Sequence, residues 1–449
     1  MKQGFRGGVY LTDYSELRRP TEPVFFDPPD EMVYPLTSWN GKTSKPVVAK
    51  GDAVLVGQLI AEADGEDSSN LFCSCSGTVR IIEKRRTLSG RMQECIVVDN
   101  DGEYTECEGF GQKTDISELG TGEILKRAAA AGVVTPQCLP AEKVLAVKDP
   151  GSIKTVVVNC VECDPSLFSK EVLVNCFTAD IAEGAALLRR MYPEAEVVFT
   201  VGSDRADTAA KLRNAVKGDN FRVEALEAIY PQGEPHCLIK TLADIDYPAS
   251  VTPEELGFVI IDIRTLFAVK KAVLDGEPSM RRVITVSGDA VKNPCEFVVR
   301  DGTSLAVLLE EAGGLKDGAE LKKIIVGDHM NGLTPSSADV PAEKTADAVF
   351  FMTRDYAAEA EAAMDNCVRC GRCFTVCPIG LAPQMLAVAA EMKDYERFEK
   401  KLYGMECTLC GACSFICTAR RPLTQRFRHM QQEILLMREA EEKEADKNE

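Results

Sequence analysis

The pattern of apolar and polar positions divides the chain into four stretches. Between about residues 30 and 100, short runs alternate apolar and polar side chains and are broken by bends. "KPVVAKGDAVLVGQLIAEADG" turns at Gly51, Asp52 and Gly57, and "CSCSGTVRIIEKR" with "RMQECIVVDNDG" forms a second, similar half. A period of two with glycine punctuation predicts strands and tight turns, here a small β-sandwich. Residues 1–20 read as an extended arm leading into it. From residue 110 the period changes. "TDISELGTGEILKRAAAAGVV" carries a capped helix start with helical spacing after it. Strands "TVVVNC" (155–160), "EVVFTVG" and "GFVIIDI" then alternate with helices "DIAEGAALLRRMY", "RADTAAKLRNAV" and "TLFAVKKAVLDG". Continuous apolar strands between helices predict a mostly parallel sheet covered on both faces.

The third stretch, "RRVITVSGDAVKNPCEFVVRDGTSLAVLLEEAGGL", reads as two strands, a helix from about Ser304 and a Gly-Gly stop, and "LKKIIVGD" closes it as a strand. From Asp355 the chain is helical. Phe427, Met430, Ile434 and Met437 share one face of the last helix, and the charged tail beyond Met437 is expected to fray.

With 449 residues the chain needs three to five domains. A net charge of −18 gives no footprint for nucleic acid. No run of about 18 apolar residues occurs, which excludes a spanning helix. Residues 1–30 hold no signal-peptide core, so the expected location is cytoplasmic, with peripheral docking on a membrane partner left open.

Cysteine changes the picture most. There are 18, and eight lie between 367 and 417. In a chain without a secretory signal, such clustering points to metal ligands rather than disulfides. Cys367, Cys370, Cys373 and Cys377-Pro378 have the spacing C-x-x-C-x-x-C-x-x-x-C, and Cys407, Cys410, Cys413 and Cys417 repeat it. Three thiolates on a tight loop cap three corners of a cubane, and the fourth cysteine reaches the other cluster. The expected ligand sets are therefore Cys367, Cys370, Cys373 and Cys417 for one [4Fe–4S] cluster, and Cys407, Cys410, Cys413 and Cys377 for the other. Zinc prefers two separated pairs, so a run of three such steps is a poor zinc pattern. Gly371 and Gly411 leave room for the clusters, and Thr418 stands where a proline is usual. The helical text between the motifs predicts an α-helical ferredoxin. Cys73, Cys75, Cys95, Cys107, Cys176, Cys237 and Cys295 are read as structural, and the three histidines form no metal pair.

These residues together resemble the RnfC family, components of the Rnf electron-transport complex. "KPVVAKGDAVLVGQLIAE" and "SGTV" are similar to its barrel, "VVVNCVECDPSLFSKEVLV" to its flavin domain, "YPQGEPHCLIKTL" to a characteristic loop, and "CVRCGRCFTVCPIGLAPQ" to its ferredoxin. The resemblance implies a multidomain α/β and β protein. Its parts are a barrel-sandwich module (1–109), a Rossmann-like α/β domain similar to the flavin subunit of complex I (110–275), a β-grasp module of the soluble-ligand-binding type (276–345), a two-cluster ferredoxin (355–430) and a charged helical tail (431–449). Carrier proteins with the barrel fold present a lysine on a hairpin; none stands beside Ser76-Gly77, so the barrel reads as structural. The β-grasp module reads equally well as a spacer.

The resemblance also implies a glycine-rich loop that cradles the flavin phosphate with backbone N–H groups. Here that place reads "AAAAGVVTPQCLPAEKV", with Pro136, Gln137, Cys138 and Pro140. Prolines remove donors and side chains crowd the approach. An acidic flavin patch persists as Asn159, Glu162 and Asp164. The sequence thus weighs against FMN, and with it against NADH oxidation. Cys138, Cys160 and Cys163 stand in the altered region as candidate redox thiols.

The expected function is single-electron relay through two [4Fe–4S] clusters, between a donor at the α/β domain (NADH with flavin, or a thiol pair) and a partner redox protein or subunit. Two alternatives stay open: a cluster-bearing adaptor with an inactive flavin domain, and a thiol- or selenol-linked donor to an amino-acid reductase such as proline reductase. Whether the chain has NADH dehydrogenase activity of its own stays open with them.

Overall fold

The computed structural model describes residues 4–11 and 22–445. The barrel is built from two sheets. Glu31–Pro35, Met92–Asn100, Gly77–Arg86 and Ala53–Val54 form one, and Ser44–Pro46, Leu59–Ala63 and Leu71–Phe72 the other. The alternation read in the sequence turns Met32, Ile60, Val79, Ile96 and Val98 inward to a shared core. Gly77 sits where a Cβ would collide with the Asp99 carbonyl, so the hairpin there is closed by backbone packing and presents no side chain.

The central domain holds four parallel strands in the order Phe221–Leu226, Glu196–Gly202, Thr155–Asn159, Phe258–Asp262. Val156, Val158, Phe199 and Ile261 contribute to the main core on one face, while Val157, Leu226 and Phe258 face a second. This explains the unbroken apolar runs. The chain leaves Thr155–Asn159 to one side first and returns to the other side last. Its carboxyl end, beside that of Phe258–Asp262, is therefore the topological switch point where such sheets bind ligands. The sequence reading did not include the strand Phe221–Leu226 or the helices Ser169–Cys176 and Pro235–Ala243, whose polar positions mask their periodicity.

The β-grasp sheet has five strands, Val24–Phe25, Cys295–Arg300, Arg281–Ser287, Ala348–Met352 and Lys323–Val326 in that order. Two of them lie outside the bounds expected from sequence. Ala348–Met352 is fully buried between two neighbours, so the module runs past residue 345. Val24–Phe25, near the N-terminus, adds an edge strand from across the chain. Barrel and β-grasp module are joined by backbone, with Val33 N–H donating to Gly302 O (3.0 Å) and the Ser74 hydroxyl to Asp301 O (2.6 Å).

Part of the expected N-terminal arm lies outside the described residues. Its described piece is a clamp: Val9 pairs with Tyr230, and Gly8 N–H donates to Val376 O at 2.9 Å, so the arm bridges the central domain and the ferredoxin. The last helix, Leu423–Ala445, continues past Met437, where fraying was expected. Its buried face ends sooner than the sequence pattern did. Phe427, Met430 and Ile434 are buried against Leu386 and Phe398, but Met437 is 40% exposed. Ile434→Ala should therefore cost about 2–5 kcal/mol of ferredoxin stability. Met437→Ala should stay within about 0.5 kcal/mol. Denaturant unfolding followed by far-UV dichroism checks both.

Candidate metal centre

The two cysteine motifs form an internal repeat, offset by forty residues in the numbering. Arg369 and Leu409 take left-handed backbone at equivalent positions, as do Gly371 and Gly411, and Gly380 and Arg420. Each loop is thereby curled into a cup and followed by one helical turn, Arg372–Thr375 or Ala412–Phe415. The cups do not close on their own cysteines alone. Cys367, Cys370, Cys373 and Cys417 line one cavity of about 430 Å³. Cys377, Cys407, Cys410 and Cys413 line another of about 370 Å³. Each quartet borrows its fourth sulfur from the opposite loop, as the spacing predicts. Among the described residues no group of three or more metal-binding side chains is placed to hold a single ion.

Backbone N–H groups point at the sulfurs in matching positions. The amide of Arg372 serves Cys370, and that of Ala412 serves Cys410. Polar side chains also repeat. The Gln384 amide lies 3.5 Å from the Cys373 sulfur, and Thr424, its equivalent, has its hydroxyl 3.9 Å from Cys413. Thr418, expected only to loosen a turn, reaches to 3.8 Å from Cys370. Such groups near sulfur set the electronics of a bound cluster.

The quartets differ in surroundings. Cys367 and Cys370 are exposed, and the whole stretch 361–370 faces solvent. The Arg372 amide and the Thr418 hydroxyl draw the Cys370 thiol below its ordinary value. The other quartet is inside. Burial pushes Cys413 up to about 12 and Cys410 up to about 11. The Cys410 and Cys413 thiols therefore keep their protons until a metal displaces them. The cover comes from three parts of the chain. The Tyr230 hydroxyl donates to Cys410 O at 2.6 Å, Val9 and Tyr230 pack with Ala412, and Met330 lies against Gly411. Asn331 has its amide 2.9 Å from the Tyr230 hydroxyl. The sequence marked the loop of Tyr230 as characteristic but gave it no role. Met330 and Asn331 carried no signal.

The chain matches four family models in order: the RnfC barrel sandwich hybrid domain at residues 3–103, the Nuo51 FMN-binding domain at 137–271, the SLBB domain at 283–329 and a 4Fe-4S dicluster domain at 361–433. It is 29% identical to the RnfC-type component of the proton-translocating ferredoxin:NAD(+) oxidoreductase complex of Clostridium ljungdahlii, over 96% of this chain and 94% of that one. It is 28% identical to its counterpart in the Na(+)-translocating ferredoxin:NAD(+) oxidoreductase complex of Acetobacterium woodii, over 97% and 98%. Against the counterpart in the ion-translocating oxidoreductase complex of Rhodobacter capsulatus the identity is 30%, over 87% and 76%. The chain belongs to the RnfC family. As an RnfC homologue with a 4Fe-4S dicluster domain, it is an iron–sulfur electron-transfer protein of the kind found in ferredoxin:NAD oxidoreductase complexes.

The residues at this homologue's flavin position do not fit the cofactor. The loop over 133–141 turns several of its donors onto itself. Thr135 N–H bonds Leu139 O, Cys138 N–H bonds Thr135 O, Ala141 N–H bonds Val133 O, and Leu139 N–H faces the Thr135 hydroxyl. Pro136 and Pro140 have none to give. The switch point carries an ion network, and Arg264 and Asp347 of that network line a cavity of about 580 Å³ with Val134, Thr135 and Pro136. Lys170 Nζ sits 2.8 Å from Asp262 and 3.1 Å from Val161 O. Arg264 brackets Asp262 and reaches Asp347 of the β-grasp module. Burial works against the charge of Asp262, but Arg264 and Lys170 outweigh it and hold the carboxyl well below its usual range. The expected acidic patch is engaged internally. Asn159 bonds Gly233 O and Val161 N, Glu162 accepts from Lys170 N, and Asp164 pairs with His329 Nδ1 at 2.7 Å.

The three candidate redox thiols are not brought together. Cys160 is sealed in the main core, and burial raises its thiol strongly. Cys163 points to the other side of the sheet, accepts from Gly233 N–H at 2.9 Å, and sits in the group that covers the inner quartet. Cys138, in left-handed backbone (φ +61°), lines a separate cavity between the barrel and the β-grasp module. Cys176, read as structural, is exposed.

Replacing Arg264 by methionine would strand the half-buried carboxylate of Asp347 and half-strand that of Asp262. The expected loss is about 3–5 kcal/mol. Thermal and denaturant unfolding of Arg264→Met against the parent measures it.

Proposed function

We propose that this chain relays single electrons between partner redox subunits through two [4Fe–4S] clusters, and does so without flavin. Cys367, Cys370, Cys373 and Cys417 are the ligands of an outer cluster; Cys377, Cys407, Cys410 and Cys413 are those of an inner one. The observation that carries this reading is the polarity of the pair, with one quartet at solvent and the other beneath the central domain. When bound, the clusters supply one-electron carriers close together. The chain supplies the rest: amide and hydroxyl groups aimed at sulfur, and the Tyr230, Val9 and Met330 cover that keeps water from the inner quartet. The spent loop donors and the Lys170–Asp262–Arg264 network support a flavin-free, NADH-independent role. Partner subunits then supply donor and acceptor, and the chain works on the cytoplasmic membrane face through them. Among the described residues no helix is long and apolar enough to cross a membrane.

A second reading has one observation in its favour. Cys138 faces a cavity of about 620 Å³ beside Glu343 and Lys344. Burial pushes its thiol up, while the Ser38 hydroxyl and the Lys344 charge pull the other way. Lys344 itself is lowered to about 8 by burial. In this reading Cys138 exchanges electrons with a thiol or selenol of an amino-acid reductase, of which proline reductase is one kind.

Anaerobically purified protein should contain about eight iron atoms per chain and no flavin bands in its absorption spectrum. In Cys370→Ser the iron should fall to about four, with the covered inner cluster retained. Stoichiometric flavin, reducible by NADH, would overturn the flavin-free reading. For the second reading, iodoacetamide should label Cys138 and spare Cys160 and Cys163 in peptide mass spectra. Unchanged electron transfer in Cys138→Ser would end it.

A further inference from the structure

We propose that the outer quartet is the docking site of a small acidic redox protein, captured by exposed arginines on and near its loops. This inference rests on the reading that the outer quartet holds a cluster and exchanges electrons.

The internal repeat makes the comparison within one chain. In the inner cup, Leu409 and Ala412 occupy the positions that the outer cup gives to Arg369 and Arg372. Ala412 is buried under Val9 and Tyr230, so the chain's own cover explains an apolar residue there. Among the described residues the outer cup has no such cover. Arg369 and Arg372 line its cavity and are exposed. Arg420, exposed, follows Cys417 by three residues in left-handed backbone, where its equivalent is Gly380. Arg6, from the N-terminal clamp, lies with its guanidinium 5.2 Å from the ring of Phe374, next to Cys373. Glu359, which feels the charge of Arg420, is already held by Arg354 at 2.6 Å. Asp365 and Glu361 are exposed on the approach to Cys367 and bound the patch on that side.

This concentration runs against the charge of the chain, −18 overall. An acidic partner is repelled by the net charge of the chain and attracted by these arginines, which bring its redox centre toward the exposed cysteines. Exposed apolar residues, Val368 at 67% and Met364 at 44%, give the encounter a small dry contact. Transient redox pairs use interfaces of this kind, small and steered by charge. One electron crosses: the partner's cluster is oxidised by one unit as the outer cluster is reduced by one, and no bond or proton changes place. An anionic lipid surface would also meet arginines. Arg369 and Arg372 line the same cavity as the cluster ligands, however, which favours a redox protein.

The test uses the full chain with its clusters and a small acidic two-cluster ferredoxin, oxidised and immobilised, read by biolayer interferometry under anaerobic conditions. The variant is Arg6→Glu/Arg372→Glu/Arg420→Asn, asparagine being suited to left-handed backbone. Its affinity at low ionic strength should fall about tenfold or more, and the salt dependence of binding should flatten. The control Lys50→Glu/Lys217→Glu, on the barrel and the central domain, should bind like the parent. Iron content is measured on all three. Unchanged affinity and salt dependence in the arginine variant overturns the docking site, as does an equal loss in the lysine control. Loss of binding to phosphatidylserine vesicles with ferredoxin binding intact overturns it in favour of a membrane. A shift in the outer cluster potential with binding intact overturns it in favour of a purely electronic role. Failure of the underlying reading looks different: the parent itself would carry no iron.

Discussion

Neither cysteine loop is complete alone. Each cavity takes three sulfurs from one cup and one from the other, and the left-handed residues that shape the cups recur at the same steps of both loops. That crossing forces the two loops face to face and brings the helices after them, Pro383–Glu391 and Leu423–Ala445, into one small core around Phe398 and Phe427. A lobe of this size buries too little apolar surface to be robust by itself. Crossed ligands would supply a further constraint, because each bound cluster would tie the two loops together.

Symmetry within the lobe is broken from outside. One cup is pressed against the central domain by Tyr230, the Val9 clamp and Met330, contributions from three separate regions of the chain. The other cup meets water. The same motif therefore carries leucine and alanine where its own chain covers it and arginine where it does not. A relay needs that direction: an inner end matched to its own protein, and an outer end matched to a partner that comes and goes.

The central domain keeps the architecture of a ligand-binding sheet while its crevice carries an ion network. The place where parallel strands diverge normally offers free N–H groups and room. Here Lys170, Asp262 and Arg264 form an ion network at that place, and Thr135, Cys138 and Ala141 give their N–H groups to carbonyls of the loop itself. Buried ion pairs of this kind hold position more than they add stability. Through Asp347 the same network ties the central domain to the β-grasp module, so the former crevice now works as a joint.

The sequence by itself determined the module order and the crossed grouping of eight cysteines around two cavities, because spacing on a tight loop is a local property. It also showed that the phosphate cradle had lost its glycines. It did not determine which cup would be buried. Tyr230, Met330 and Asn331 reach the inner quartet from positions more than forty residues away, and no local pattern marks them. Cys160 and Cys163 looked like a redox pair because they are three residues apart, but the chain turns them to opposite sides of a sheet. Met437 kept the helical period, yet the core ended at Ile434. Periodicity and spacing fix what a segment can present; only packing between distant segments decides what it meets.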